Sequence, residues 1–331
     1  MNVEKHVKIY AENGIYAGWP ANHGAWQWGP EMLVGFLRGP YKRNSMHNIT
    51  EPHELMQARS LDGGETWDLE ETEIPTNYTA TKPAPPFRLE DGAIIRIRGT
   101  YDHGGDDIPE EGGFWLSLDR GRTWSGGFGF DWAKPVLAHD EHLTSRTNSV
   151  GSLFFMSKAK KKMWGTDQTF CARYADGKFS FVANVCNDRG RAVMPAAAKV
   201  GDRLVCTMRR RITNRFGGWI DAYGSDDDGK TWRFLAEVGV TGSRNGNPPA
   251  LIADGERLVC CYGNRDARAV LARESLDGGK TWSLPLVLRG EGVSDIGYPQ
   301  LLRRPDGKLL CAYYWADKIT PQQHIAGTVF C

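Results

Sequence analysis

One eight-residue phrase recurs four times in this chain, and its spacing leaves few architectures open. It reads Ser60-Leu-Asp62-Gly-Gly64-Glu-Thr66-Trp67, then Ser117-Leu-Asp119-Arg-Gly121-Arg-Thr123-Trp124. It returns as Ser225-Asp-Asp227-Asp-Gly229-Lys-Thr231-Trp232 and Ser275-Leu-Asp277-Gly-Gly279-Lys-Thr281-Trp282. Successive aspartates lie 57, 108 and 50 residues apart, so the long interval spans two periods and one copy is degraded. Cys171–Phe179 stands where that copy belongs and keeps only the Asp176-Gly177 turn and an aromatic. A fixed period of this size marks a chain built from stacked supersecondary units. Within the phrase, the Asp carboxylate can accept backbone N–H bonds, Gly can take φ > 0, and Trp can cover the turn. Asp62, Asp119, Asp227 and Asp277 are therefore expected to be structural.

A second signal travels with the turn. Glu31–Phe36, Ala93–Arg98, Lys162–Asp167, Arg203–Met208, Arg257–Tyr262 and Lys308–Tyr313 read as short strands, most of them bounded by Gly, Asp or Pro turns. No segment keeps a helical period over three turns. Six such strands predict an all-β fold, a six-bladed β-propeller with four-stranded blades. One domain covering 1–331 is expected, closed by pairing Val3–Tyr10 with His324–Phe330, which hides an otherwise open edge. The stretches 38–54 and 100–113 read as loops.

Composition narrows the function. Lys and Arg total 41 against 40 Asp and Glu, a net charge of +1, so strong attraction to nucleic acid is not expected. The basic run Lys158–Lys162 reads as a solvated hairpin turn. No run of apolar residues is long enough for a membrane span. Of the seven cysteines, Cys206, Cys260 and Cys311 repeat within apolar strands, as buried small hydrophobes do. No zinc-ligand spacing occurs, and no metal or other cofactor is expected. A reducing, cytoplasmic location is the expectation; a secreted mature form stays open, because a leader can be removed.

The S-x-D-x-G-x-T-W phrase resembles the Asp box, or bacterial neuraminidase repeat, of the sialidase superfamily. In that family the box joins the third and fourth strands of a blade and faces away from the active site. The resemblance implies a pocket at the opposite end, built from starts of first strands and ends of second strands. Gly18-Trp-Pro-Ala-Asn22, Ser145-Arg146-Thr147-Asn148, Met194-Pro195, Gly246-Asn-Pro-Pro-Ala250, Tyr262-Gly-Asn-Arg265 and Asp295-Ile-Gly-Tyr298-Pro299 resemble a branch labelled as exo-sialidases. The mechanism implied is a Tyr nucleophile assisted by Glu, an acid/base Asp and three carboxylate-binding arginines. Tyr298 stands where the Tyr belongs, and Arg209 or Arg210 where one Arg belongs. Three departures stand beside these matches. Gly18-Trp19-Pro20 replaces an Arg-Ile-Pro phrase, the Glu position falls near Val193 and Met194, and the loop expected to supply Asp holds Asn44, His47, Glu51, His53 and Glu54.

Arg146, Arg191, Arg210 and Arg265 are the candidates for a carboxylate-binding floor, since a planar guanidinium matches a carboxylate with two parallel bonds. The bland alternative pairs each with a neighbouring Asp, such as Arg265 with Asp266. Tyr298 is a candidate nucleophile or base, or else an aromatic plug. His47 and Asp102 are candidate acids, the latter in the Gly-flanked loop with His103, Asp106 and Asp107. Trp19 and Asn22 are candidate sugar contacts; Glu31, Trp26 and Trp28 read as blade structure. The first expectation is a hydrolase releasing a terminal sialic or uronic acid, with an acidic oligosaccharide or glycoconjugate as its partner. A polysaccharide lyase acting by β-elimination is the second. A non-catalytic glycan- or protein-binding propeller, rich in aromatics and poor in converging arginines, is the third.

Overall fold

The repeated phrase builds the same cage each time. Asp277 accepts the N–H groups of Lys280 and Thr281 and the Thr281 hydroxyl, while Ser275 Oγ donates to Asp277 and accepts from Gly279 N–H, all at 2.7–2.9 Å. Asp62, Asp119 and Asp227 hold equivalent bonds. The residue after each Asp and the following Gly both have positive φ, which two glycines meet in the first and last boxes and Arg120 and Asp228 meet in the others.

The computed structural model describes residues 1–45, 47–71, 82–89, 91–99, 112–144, 146, 148–161, 163, 165–243 and 246–331. They form six separate sheets, the blades of an all-β six-bladed propeller. Blade one uses Ile15–Gly18 and Ala25–Trp28, then Glu31–Pro40, Glu54–Ser60 and Asp68–Glu70. In blade two, Ile94–Arg98, Gly113–Ser117 and Ser125–Gly129 are antiparallel, and Lys82–Pro83 runs parallel to the outer strand. Blade four is Arg191–Val200, Arg203–Arg211, Gly218–Ser225 and Arg233–Gly242; blade five is Pro249–Asp254, Arg257–Asn264, Ala269–Ser275 and Leu286–Arg289. Each box connects the third and fourth strands of its blade. Blade six joins Gly297–Arg303, Leu309–Trp315 and His324–Phe330 to Val3–Tyr10 from the other end of the chain.

Five of the six strands read from sequence are second strands of blades. They are buried over most of their length because neighbouring blades cover both faces; Ile94–Arg98 buries even Arg96, and all of Leu309–Trp315 is buried. The exception is Lys162–Asp167. The second strand of blade three is Leu153–Lys160, entered through the Gly151 turn, and the described part of 162–167 is connection. Lys158 and Lys160 thus belong to a strand, with Lys158 paired to Glu141 at 2.9 Å. Asp176-Gly177 is the hairpin between Gln168–Ala175 and Lys178–Asn184, so blade three closes with a plain turn. All seven cysteines are free, six of them buried. No described helix is long and apolar enough to cross a membrane.

Candidate functional site

The end of the propeller opposite the boxes is marked by breaks in the first strands, all at one level. In blade one, the four-residue helix Pro20–His23 separates the two pieces of the strand. In blade three, Glu141–Thr144 and Ser149–Val150 flank Arg146. In blades four and six, register shifts fall at Met194-Pro195 and Tyr298-Pro299. Trp19, Met194 and Tyr298 have φ of 56°, 56° and 53°, and each precedes a proline. Left-handed backbone is costly for large side chains, and a following proline restricts them further. Such outliers persist only where the surroundings enforce them, and they cluster at functional sites.

Tyr298 stands at the centre of this level. Arg209 Nη1 donates to its hydroxyl at 3.3 Å, and the Arg265 guanidinium lies 5.9 Å from its ring centroid. Tyr314 packs edge-on at 5.9 Å. Beside them, Asp295 accepts from Tyr314 OH at 2.6 Å, Tyr16 OH at 3.1 Å and His47 Nδ1 at 2.9 Å, with Arg265 Nη2 at 3.7 Å. Trp19 stands edge-on to His47 at 4.9 Å and packs against Tyr16 at 5.1 Å. Blades one, four, five and six therefore meet here.

The charges are arranged by burial and by one another. Burial opposes the Asp295 carboxylate, but the His47 hydrogen bond and charge, with Arg265 and Tyr314, outweigh it and hold its pKa below the usual value. Burial and the nearby Asp295 push the Tyr16 and Tyr314 phenols well up, so both stay neutral donors. Partial burial opposes the Arg265 cation, yet Tyr314, Tyr298 and Asp295 raise its pKa. Arg209 is pulled down to about 10, chiefly by burial, with Arg191 and Arg265 adding repulsion. It remains a cation at neutral pH.

The structure sorts the sequence candidates. Tyr298, His47, Arg265 and Trp19 come together. Arg265 does not pair with Asp266, which is taken by Ser243. Arg210 turns away into its own blade, bonding Asp221 at 3.1 Å, Cys186 Sγ at 3.1 Å and the Arg189 carbonyl at 3.1 Å. Its strand neighbour Arg209 faces Tyr298 instead. Arg146 is fully buried, donating to the Pro195 and Pro249 carbonyls at 2.9 and 2.8 Å, and ties blades four and five together below the site. Arg191 pairs with buried Asp167 at 2.5 Å. Asn22 is buried in the short helix. Glu31 holds Arg59, Arg120 and Arg122 near the box end. Asp102, His103, Asp106 and Asp107 lie outside the described residues. Sequence reasoning left Arg209 open against Arg210 and missed Tyr314 and Tyr16; for Asp295 the signal was its place three residues before Tyr298. Among the described residues, no three His, Cys, Asp or Glu side chains cluster as metal ligands would.

No curated protein matches the chain in sequence. Its structure is similar to a Dyadobacter fermentans protein of unknown function, with TM-score 0.72 and 17% identity over 99% of this chain and 98% of that one. It is also similar to Trypanosoma rangeli sialidase, TM-score 0.63 and 13% identity, with 98% of this chain covering 59% of the sialidase. A Penicillium chrysogenum alpha-L-arabinanase complexed with arabinobiose matches at TM-score 0.57 and 12% identity, over 100% and 98% of the two chains. At these identities the likeness is one of fold, a fold shared with two kinds of glycosidase. The profile of the BNR repeat-like domain matches residues 102–311, and the chain belongs to that family.

Proposed function

We propose that this protein is a carbohydrate-active enzyme that hydrolyses the bond to a terminal acidic sugar, sialic or uronic, in a glycan. The observation that carries the reading is the Tyr298 hydroxyl seated on Arg209 and flanked by Arg265, beside a histidine anchored by the part-buried Asp295 carboxylate. Arg209 and Arg265 would hold the sugar carboxylate. The Asp295 carboxylate can only accept, so His47 Nδ1 carries the proton of that bond and Nε2 is the nitrogen left for chemistry. In its protonated form His47 would give the leaving oxygen its proton as the glycosidic C–O bond breaks. The Tyr298 oxygen, its proton given up to solvent, would attack or stabilise the anomeric carbon; the now neutral His47 Nε2 would take a proton from the water that then displaces the tyrosine. Trp19 would cover the sugar.

One observation favours β-elimination as a second reading. The Tyr298 hydroxyl accepts a hydrogen bond from the Arg209 guanidinium, whereas the sialidase pattern has a carboxylate assisting the tyrosine. An arginine beside a phenol suits a base that removes the proton α to a neutralised uronate carboxylate. A binding-only propeller would not need two arginines on one tyrosine. The test is a screen of chromogenic sialosides and uronides together with uronate polysaccharides, read for released dye and for unsaturated, ultraviolet-absorbing product. Dye without unsaturation supports hydrolysis, unsaturation supports elimination, and turnover of none of them overturns the enzymatic reading.

A further inference from the structure

We propose that Asn247 is the positioning residue that holds Tyr298 in its left-handed turn and so fixes where the phenol stands. The proposal rests on the reading of Tyr298 as the reacting group. Asn247 lies before the first strand of blade five, 51 residues from Tyr298 in sequence, and its side chain is fully buried. Its Oδ1 accepts the Tyr298 N–H at 2.7 Å, and its Nδ2 donates to the Ile296 carbonyl at 2.9 Å. One amide thus clamps both sides of Gly297, whose φ is 108°, and fixes the peptide on which Tyr298 turns.

The space around this amide is built to fit it. A Cβ on Gly297 would stand 2.3 Å from Asn247 Oδ1, and a Cβ on Gly263 would stand 2.8 Å from Nδ2. Two glycines from blades five and six therefore leave room for one side chain. No other side chain bonds the Tyr298 N–H among the described residues. A tyrosine at φ of 53° ahead of a proline relaxes toward extended backbone unless it is held. Relaxation would swing the phenol off Arg209 and away from Arg265. A misplacement of about 1 Å at a reacting group can lower a rate by roughly 100-fold.

The test uses the full chain labelled with fluorotyrosine, in which the Tyr298 fluorine resonance is the one lost in Tyr298→Phe. Asn247→Ala should move or broaden that resonance. On a substrate identified by the screen it should lower kcat at least about tenfold, while KM changes much less. Gly263→Ala is the second variant: Gly263 sits in ordinary strand backbone, so its added methyl acts by pushing the amide. It should shift the same resonance and lower kcat in the same direction even if Asn247→Ala does not fold. An unmoved Tyr298 resonance in whichever variants fold overturns the proposal. Full turnover in Tyr298→Phe would remove Tyr298 from the chemistry, yet the fluorine shift would still decide whether Asn247 positions it.

Discussion

At one end of the blades, Asp62, Asp119, Asp227 and Asp277 sit in near-identical cages; at the other, the polar groups among the described residues differ from blade to blade. The box end repeats because each copy does the same local work, joining a third strand to a fourth. Every bond in a cage is made within five residues of sequence. The opposite end draws on long-range contacts, such as His47 to Asp295 across 248 residues and Arg209 to Tyr298 across 89. Regular strands and caged turns stabilise the first end, where left-handed backbone, including Arg120 and Asp228, is held by local bonds. Broken strands and left-handed backbone at Trp19, Met194 and Tyr298 characterise the second. The contrast teaches that box residues should affect stability alone, and pocket residues turnover above all.

The largest effect that would break this division concerns His47. His47→Ala should lower turnover at least about 100-fold, the lower end for a positioned proton-transfer group. The melting temperature should move little, since a third of its side chain is exposed. A large drop in melting temperature with turnover intact would make it a structural strap. Next comes Arg265→Ala, which should lower kcat/KM for an acidic substrate by about 2–3 kcal/mol, as for a charge-assisted bond. The methyl ester of that substrate should lose far less, and equal losses would remove the carboxylate contact.

At the other end, Asp277→Ala should lower the melting temperature through lost turn bonds of about 1 kcal/mol each, leaving substrate affinity unchanged. Burial opposes the Asp277 carboxylate, but the bonds from Thr281, Ser275 and the Lys280 N–H together outweigh it and hold its pKa down to about 2. The folded value lies below the unfolded one. The stabilisation is therefore complete above about pH 4 and lost as pH falls through about 2, so thermal scans of parent and variant should converge in that window. Reduced substrate affinity in a variant of unchanged melting temperature would contradict the division. The smallest change is Asp176→Asn in the plain turn of blade three. Asn tolerates its left-handed φ of 52°, and the melting shift should correspond to less than about 0.5 kcal/mol.

The fold was legible where physics is local. Asp and Gly at fixed spacing specify their turn without help from distant residues, so the blade count and box positions follow from them. Blade three was misread because its box has decayed, and its lysines disguise the strand Leu153–Lys160 as a turn. The site was legible only in outline. Tyr298 and Arg265 carry a position relative to blade and turn, but the choice between Arg209 and Arg210 depends on which face of Arg203–Arg211 looks into the channel. Both faces of that strand are buried, so no alternation reveals the facing. Asp295 and Asn247 gain their roles only when blade six closes against blades one and five.

The central claim is that Tyr298 does chemistry at the pocket end and does not merely fill the channel. Tyr298→Phe keeps the ring and removes only the hydroxyl that Arg209 contacts. Turnover and melting temperature should be measured on one preparation with the acidic substrate from the screen. The account predicts turnover down by at least about 100-fold with the melting temperature nearly unchanged. Full turnover, with at most the loss of one hydrogen bond of about 0.5–1.5 kcal/mol in stability, would contradict it.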